Sequence, residues 1–326
     1  LGVEMIRIKE STSHRPVHSS NDAVEYTLNR VDTLGRKGMD LFEEHNIKFV
    51  YGNAEADFGI SKHGNTVSCV PKSKCILLKK EPPIYNVFFG WNISKDSFMK
   101  KYMAVMTNSI CGDLPQIHHL TTQQAFEHLK YFDTPKTKLL CMVMQNKKWA
   151  YRLNKMIPGL RKYNKFSNMN IKIKADNVFC DYLETKYESY GYGKGWNPKC
   201  FKGSIPKYED KYKYISQFTF NFCPENSQFK GYVTEKPIVS MVCGSIPIYI
   251  GAPDIYDYLP RGTFIDYRHF TAEELVHHIR DMQPKEINKT KRRIKRFITS
   301  REVIDRYSSV AFAKKIIKVI ENGRNK

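Results

Sequence analysis

The sequence predicts an α/β protein in two domains, the second of them Rossmann-like. Three observations lead there. Phe218 to Asp266 reads as strand, loop, helix, strand, helix, strand, half of a doubly wound domain. Residues 3–133 alternate short apolar strands with helical stretches. Between the two lies TPKTK, a Pro-marked and charged run, which places the domains at 1–136 and 137–302 with a last helix beyond them. A chain of 326 residues, 41% of them apolar, is long enough to bury two cores.

The elements follow in order. Residues 3–9 form a short alternating strand, Met39 to His45 with the polar stretch before it forms one or two helices, and residues 46–52 form the next strand. After a Gly/Ser/Asn-rich connection, TVSCV and then CILLKKE read as strands, the second ending at Glu81 before Pro82 and Pro83. YMAVM is a further strand and QQAFEHLKYF an amphipathic helix. LLCMVM opens the second domain as an unbroken apolar strand of the kind buried on both faces. Gln145 to Tyr163 reads as a helix that Pro158 kinks or ends, and residues 164–211 are poor in pattern. Then Phe218, Phe220 and Phe222 alternate as a strand, Gly231 closes a loop, and Thr234 stands as the N-cap of a helix ending at Gly244. SIPIYI is a buried strand, TAEELVHHIRDM opens with a capping box from Thr271 to Glu274, and Val303 to Ile320 is the last helix.

The run PENSQFKGYVTEK, followed by GSIPIYIGAPDIYDYLPRGTFIDYRHF, resembles the donor-binding signature of the α1,3-fucosyltransferases, glycosyltransferase family 10. SYGYGKGW at 189–196 is similar to another stretch of that family. The resemblance implies a GT-B architecture, two Rossmann-like domains facing each other across a cleft, with the last helix packing back on the first domain. It also implies inverting transfer of fucose from GDP-fucose to a hydroxyl of an oligosaccharide, glycoprotein or glycolipid. The same fold using another GDP-sugar is the near alternative.

Sugar transfer from a nucleotide diphosphate needs compensation for the leaving diphosphate and a base for the acceptor hydroxyl. No paired aspartates of the DxD type stand at a strand end, so cations and a helix start are expected to take the first role and no divalent metal is expected to be essential. Lys236 would by itself be a solvated helix lysine, and Glu235 a helix-dipole carboxylate. The resemblance makes the first a donor-diphosphate contact and turns the second toward fucose or ribose. Asn226 and Tyr232, otherwise a turn former and a packing residue, become donor contacts by the spacing ENS…GYVTEK, and Glu225 holds the loop. Arg152, in QNKKWAYRLNK, matches the place of a diphosphate-binding arginine, with Lys147 and Lys148 as substitutes. Glu81, pinned by two prolines where the family has Glu-Ser-Pro, is the candidate general base, although Lys79 and Lys80 beside it would lower its pKa. Two residues depart from the signature, Pro237 after the lysine and Pro224 after Cys223.

The balance of 53 Lys and Arg against 33 Asp and Glu, a net +20, favours anionic partners. Residues 285–301 carry eight Lys or Arg against one Glu, a solvated helix face or a contact for an anionic membrane or an acidic acceptor. A non-catalytic module binding nucleic acid or anionic glycan would account for the charge, but no helix-turn-helix or aromatic-basic RNA motif is present, and no nucleic acid partner is expected. The eight cysteines show no zinc spacing. They read as mostly free or buried thiols, with Cys69 and Cys75 the nearest candidate pair for a disulfide. His118-His119 and His277-His278 lack a third ligand, and the sequons at Asn92 and Asn288 matter only in a secreted chain. No apolar run reaches membrane-spanning length. The opening Leu suggests a processed or trimmed chain that has lost an anchor; a eukaryotic protein would then sit in the Golgi lumen, a bacterial or viral one in the cytoplasm or at the inner membrane face.

Overall fold

The structure is a computed structural model, and it describes residues 5–10, 35–50, 54–62, 67, 69–79, 96–107, 117–118, 125–144, 168–191, 195–205 and 210–324. The chain divides into two compact units, Leu1–Gln124 with Ile304–Lys326, and Ala125–Val303. Each is built on a parallel sheet.

The first unit has six strands, β1 (Ile6–Glu10), β2 (Ile47–Phe49), β3 (Phe58–Lys62), β4 (Cys75–Lys79), β5 (Ala104–Thr107) and β6 (Ile117–His118), in the order β2-β1-β3-β4-β5-β6. One face packs Ile6, Ile8, Ile60, Ile76 and Leu78 against Phe42 of helix α1 (Gly35–Glu44) and against Phe312, Ile316 and Ile320 of the final helix, Ser309–Arg324. The other face buries Val67, Cys75, Leu77 and Val105 with Met99 of α2 (Asp96–Met99) and Tyr102.

Three readings change here. Strand β3 lies in the stretch read as a connection. A Cβ on Gly59 would sit 2.5 Å from Cys75 Sγ, so only glycine fits, and Ser61 on the same face is buried with its hydroxyl 3.5 Å from Tyr102. Two small residues on a buried face look like loop in one dimension. TVSCV, read as a strand, has a turn at Cys69 with φ 64°. The last helix is two, Arg301–Tyr307 and Ser309–Arg324.

The second unit runs β7 (Lys138–Val143), α3 (Met169–Leu183), β8 (Tyr187–Tyr190), α4 (Asp210–Ile215), β9 (Phe218–Pro224), α5 (Lys236–Val242), β10 (Ile246–Ile250), β11 (Ile265–Asp266), α6 (Ala272–Asp281) and α7 (Pro284–Ile298). Its strand order is β11-β10-β9-β7-β8. From β7 the chain steps to β8 on one side and then crosses to β9 on the other. Connections therefore diverge at the pair β7 and β9, the place where open α/β sheets leave a crevice at the carboxyl ends of the strands.

QQAFEHLKYF forms a 3-10 turn over Ala125–Tyr131 rather than an α-helix, and its His128 ring stacks 3.7 Å from that of Tyr212. Helix α3 fills part of the patternless stretch. It buries Lys172 and Asp176 beside Ala175 and Phe179, so polar residues occupy its inner face and mask the apolar period. The disulfide joins Cys180 of α3 to Cys200, while Cys69 and Cys75 are free thiols. The expected capping box from Thr271 to Glu274 is present. The helix expected over 145–163 lies outside the described residues. Among the described residues no helix is long and apolar enough to cross a membrane.

Candidate functional site

Between β9 and α5 the chain closes a loop around one buried carboxylate. Glu225 has no exposed surface. Its Oε1 accepts the Thr234 backbone N–H at 2.7 Å and its Oε2 accepts Lys236 Nζ at 2.8 Å. The Thr234 hydroxyl lies 2.8 Å from Glu225 Oε2 and accepts Lys236 Nζ at 2.8 Å. Thr234 therefore bonds back across the loop instead of capping α5, and the N-cap falls on Glu235, which makes no side-chain capping bond. The loop can close because Gly251 lies against it: a Cβ there would come within 2.5 Å of Glu225 Cγ. Gly231, at φ 74°, donates its N–H to the Asp254 carboxylate at 2.9 Å.

Helix α3 braces the same loop from below. Asn168 at its start donates to the carbonyl of Glu225 at 3.0 Å and accepts the Gln228 side chain at 2.7 Å. Lys172, buried one turn on, donates to the Asn226 side-chain oxygen at 2.8 Å. Helix α4 contributes Lys211, whose Nζ is 3.7 Å from Glu235 Oε1. Burial opposes a charge on Glu235, but Lys236, Lys211 and nearby hydrogen bonds outweigh it and hold the carboxyl below the usual glutamate range. Three helices thus each send a lysine to the loop 225–236.

Helix α5 is itself buried along its length. Ser240 donates to the carbonyl of Lys236 at 3.0 Å and accepts the Asn221 side chain at 2.6 Å, while its oxygen sits 2.9 Å from the Cys223 thiol, which burial pushes up to about 12. A recess at the carboxyl ends of β7 and β9 is lined by Val143, Met144, Asn221, Cys223, Lys211 and Lys236. It coincides with the crevice that the strand order creates, and both flanking helices begin there. Two ammonium groups stand at this edge of the sheet, each with a carboxylate beside it, Glu225 by Lys236 and Glu235 by Lys211.

Of the residues expected from the sequence, Asn226, Glu235 and Lys236 meet in this loop. Tyr232 is buried, with its carbonyl 3.5 Å from the Tyr249 hydroxyl. Arg152 and Glu81 lie outside the described residues. Lys172, Lys211, Asn168 and Asp254 were not singled out. For the lysines no signal existed, since a helix lysine reads as solvated unless its neighbours in space are known. Among the described residues no group of three or more His, Cys, Asp or Glu is placed to hold a metal ion.

The model of glycosyltransferase family 10 (fucosyltransferase), C-terminal part, matches residues 134–302, half of the chain and nearly the whole second unit. The chain is 34% identical over 121 residues to the α-(1,3)-fucosyltransferase FucT of Helicobacter pylori, covering 35% of this chain and 23% of that protein. It is 24% identical over 289 residues to a candidate fucosyltransferase, R654, of Acanthamoeba polyphaga mimivirus, covering 86% of this chain and 42% of that one. The chain thus spans less than half the length of these curated relatives. Among solved structures, an α1,3-fucosyltransferase superposes with a TM-score of 0.56 at 12% identity, covering 96% of this chain and 90% of that chain. Its complex with GDP-fucose gives 0.54 over the same shares. These likenesses establish the GT-B fold.

Proposed function

The chain belongs to glycosyltransferase family 10, the fucosyltransferases, and from that premise we propose that it transfers fucose from GDP-fucose to a glycan hydroxyl, forming an α1,3 linkage with inversion. The acceptor is an N-acetylglucosamine- or glucose-like sugar. The observation that carries the reading is the loop 225–236, in which the family's signature residues close around Glu225 and set Lys236 beside the crevice at the sheet edge.

In this reaction the acceptor hydroxyl gives its proton to Glu81, and its oxygen attacks the anomeric carbon of fucose from the face opposite GDP. The bond from that carbon to the diphosphate oxygen breaks, and GDP leaves with the electron pair. Lys236 and Arg152 offset the charge that develops on the diphosphate, which an ammonium and a guanidinium do without a metal ion. Asn226 and Glu235 orient base, ribose and sugar, with the buried Tyr232 packed behind them in the same loop. The similarity to a structure described with GDP-fucose supports the choice of donor.

Thermal unfolding with and without GDP or GDP-fucose, in the presence of a chelator, tests this. Saturating GDP stabilises a binding-competent fold by about 3 kcal/mol at a hundredfold excess over Kd, a shift of a few degrees for a protein this size. Each variant is compared with its own ligand-free form. Lys236→Ala is expected to lose most of the shift. If no guanine nucleotide moves the wild type, the donor assignment falls; if GDP-mannose is consumed and GDP-fucose is not, the sugar is wrong and the fold's use of GDP stands.

A further inference from the structure

We propose that Lys211 is a positioning residue of the donor site, holding the Glu235 carboxylate beside the recess that Lys211 and Lys236 line. The proposal deepens the transfer reading above and rests on it. Lys211 lies in the first turn of α4, which runs antiparallel to β9 and so begins at the carboxyl edge of the sheet, where α5 also begins. Its Nζ is 3.7 Å from Glu235 Oε1, and the two side chains are 15% and 16% exposed. Both lysines line the recess at the switch point of the strand order.

Glu235 is the N-cap of α5, yet its backbone is already helical, at φ −64° and ψ −17°, and its side chain makes no capping bond. Its local hydrogen bonds are to its own N–H and to the Thr234 side chain, and Lys211 adds a charge from a second element. The groups that face it are Lys236 and Thr234 at the start of α5 and Lys211 from α4, with the Glu225 carboxylate and the Cys223 thiol behind Lys236. Lys236 is drawn to the buried side of the loop by Glu225 and Thr234, each at 2.8 Å. Lys211 comes to Glu235 from the neighbouring helix instead. An ionised carboxylate accepts only, so a Glu235 kept ionised beside the recess is a receptor for the hydroxyls of a donor ribose or sugar. Both lysines keep it in that state.

The test compares wild type with Lys211→Met, which keeps the apolar stem, Lys211→Arg, which keeps the charge, and Lys213→Ala, an exposed lysine on the same helix. Two readouts are used: the titration of the Glu235 carboxyl by carbon-13 NMR, assigned with Glu235→Gln, and the pH profile of kcat/KM for GDP-fucose. Lys211→Met is expected to move the Glu235 midpoint upward and to lower kcat/KM about tenfold, with the loss growing toward acid pH. Lys211→Arg restores most of both, and Lys213→Ala matches wild type. The proposal is overturned if Lys211→Met leaves the midpoint and the profile where wild type has them. Should Met not be tolerated, Lys211→Gln carries the same comparison. If wild type neither binds GDP nor consumes a GDP-sugar, the transfer reading fails on its own account, and the carboxyl titration still decides whether Lys211 holds Glu235.

Discussion

Glu225 and Lys236 stand in one loop with opposite duties, and their burial separates them. Glu225 is wholly enclosed, and its oxygens meet the Thr234 N–H, the Thr234 hydroxyl and the Lys236 ammonium. A glutamine in its place would turn an NH2 group toward one of these donors, leaving a buried polar group unpaired and removing the buried charge that Lys236 meets at 2.8 Å. Breaking such a pair from one side costs on the order of 3 kcal/mol. Glu225→Gln should therefore lower the unfolding free energy from urea titration by that much, and Thr234→Val, which removes one hydroxyl, by about 1 kcal/mol. A Glu225→Gln protein as stable as wild type would show that the loop is held by its backbone alone. At this scale the sequence was informative where residues are close in the chain: Glu225, Asn226, Glu235 and Lys236 fall within one short motif. Lys172 and Lys211 come from other helices and were silent, because what makes them notable is a carboxylate or amide contributed by a distant stretch.

Helix α5 carries the site, and its far end is fixed by another lysine. Lys136 donates to the carbonyls of Cys243 and Ser216, at 2.7 and 2.6 Å, and so caps the helix where Gly244 leaves it at φ 66°. Burial, aided by Lys291, lowers its pKa to about 8. The unfolded chain holds this proton up to the ordinary value of 10.5, so between pH 8 and 10.5 the unfolded state binds more protons and Lys136 contributes a rise of stability with pH. Buried cysteines such as Cys243, pushed up to about 12, contribute a fall above their ordinary value of 9.0, so the comparison has to be a difference between proteins. Lys136→Met should cost about 1 to 3 kcal/mol at neutral pH through two carbonyls left unpaired, and the gap to wild type should widen from pH 8 toward 10.5. A gap that narrows over that range would mean that the lysine is not held in a buried environment. The strands β7, β9 and β10 and the helix α6 were legible because apolar runs and a capping box are local signals. Strand β3 and helix α3 were not: a glycine with no room for a Cβ and a buried Lys172 and Asp176 obey tertiary contacts that erase the pattern.

Over the whole molecule the excess of cations sets how it meets other surfaces. A net +20 is spread over both units, but α7 concentrates it, and all of its Lys and Arg except Lys291 are exposed. Ile294 and Ile298 are buried and fix the helix to its own unit, and Lys295 pairs with Asp133 there. Each cation close to an anionic bilayer contributes about 1 kcal/mol, and the attraction fades over roughly 10 Å at moderate ionic strength. Three or four such residues suffice for weak, reversible attachment. Sedimentation with phosphatidylserine vesicles should show binding at low salt that disappears at high salt, and no binding to neutral vesicles. Replacing Lys289, Arg292 and Arg296 together by Glu should abolish it while leaving the GDP-dependent thermal shift unchanged, since none of the three belongs to the crevice. If the triple variant still pellets with the vesicles, the charge that matters lies elsewhere on the surface. If wild type ignores the vesicles at low salt, the basic face of α7 serves only to keep the protein in solution.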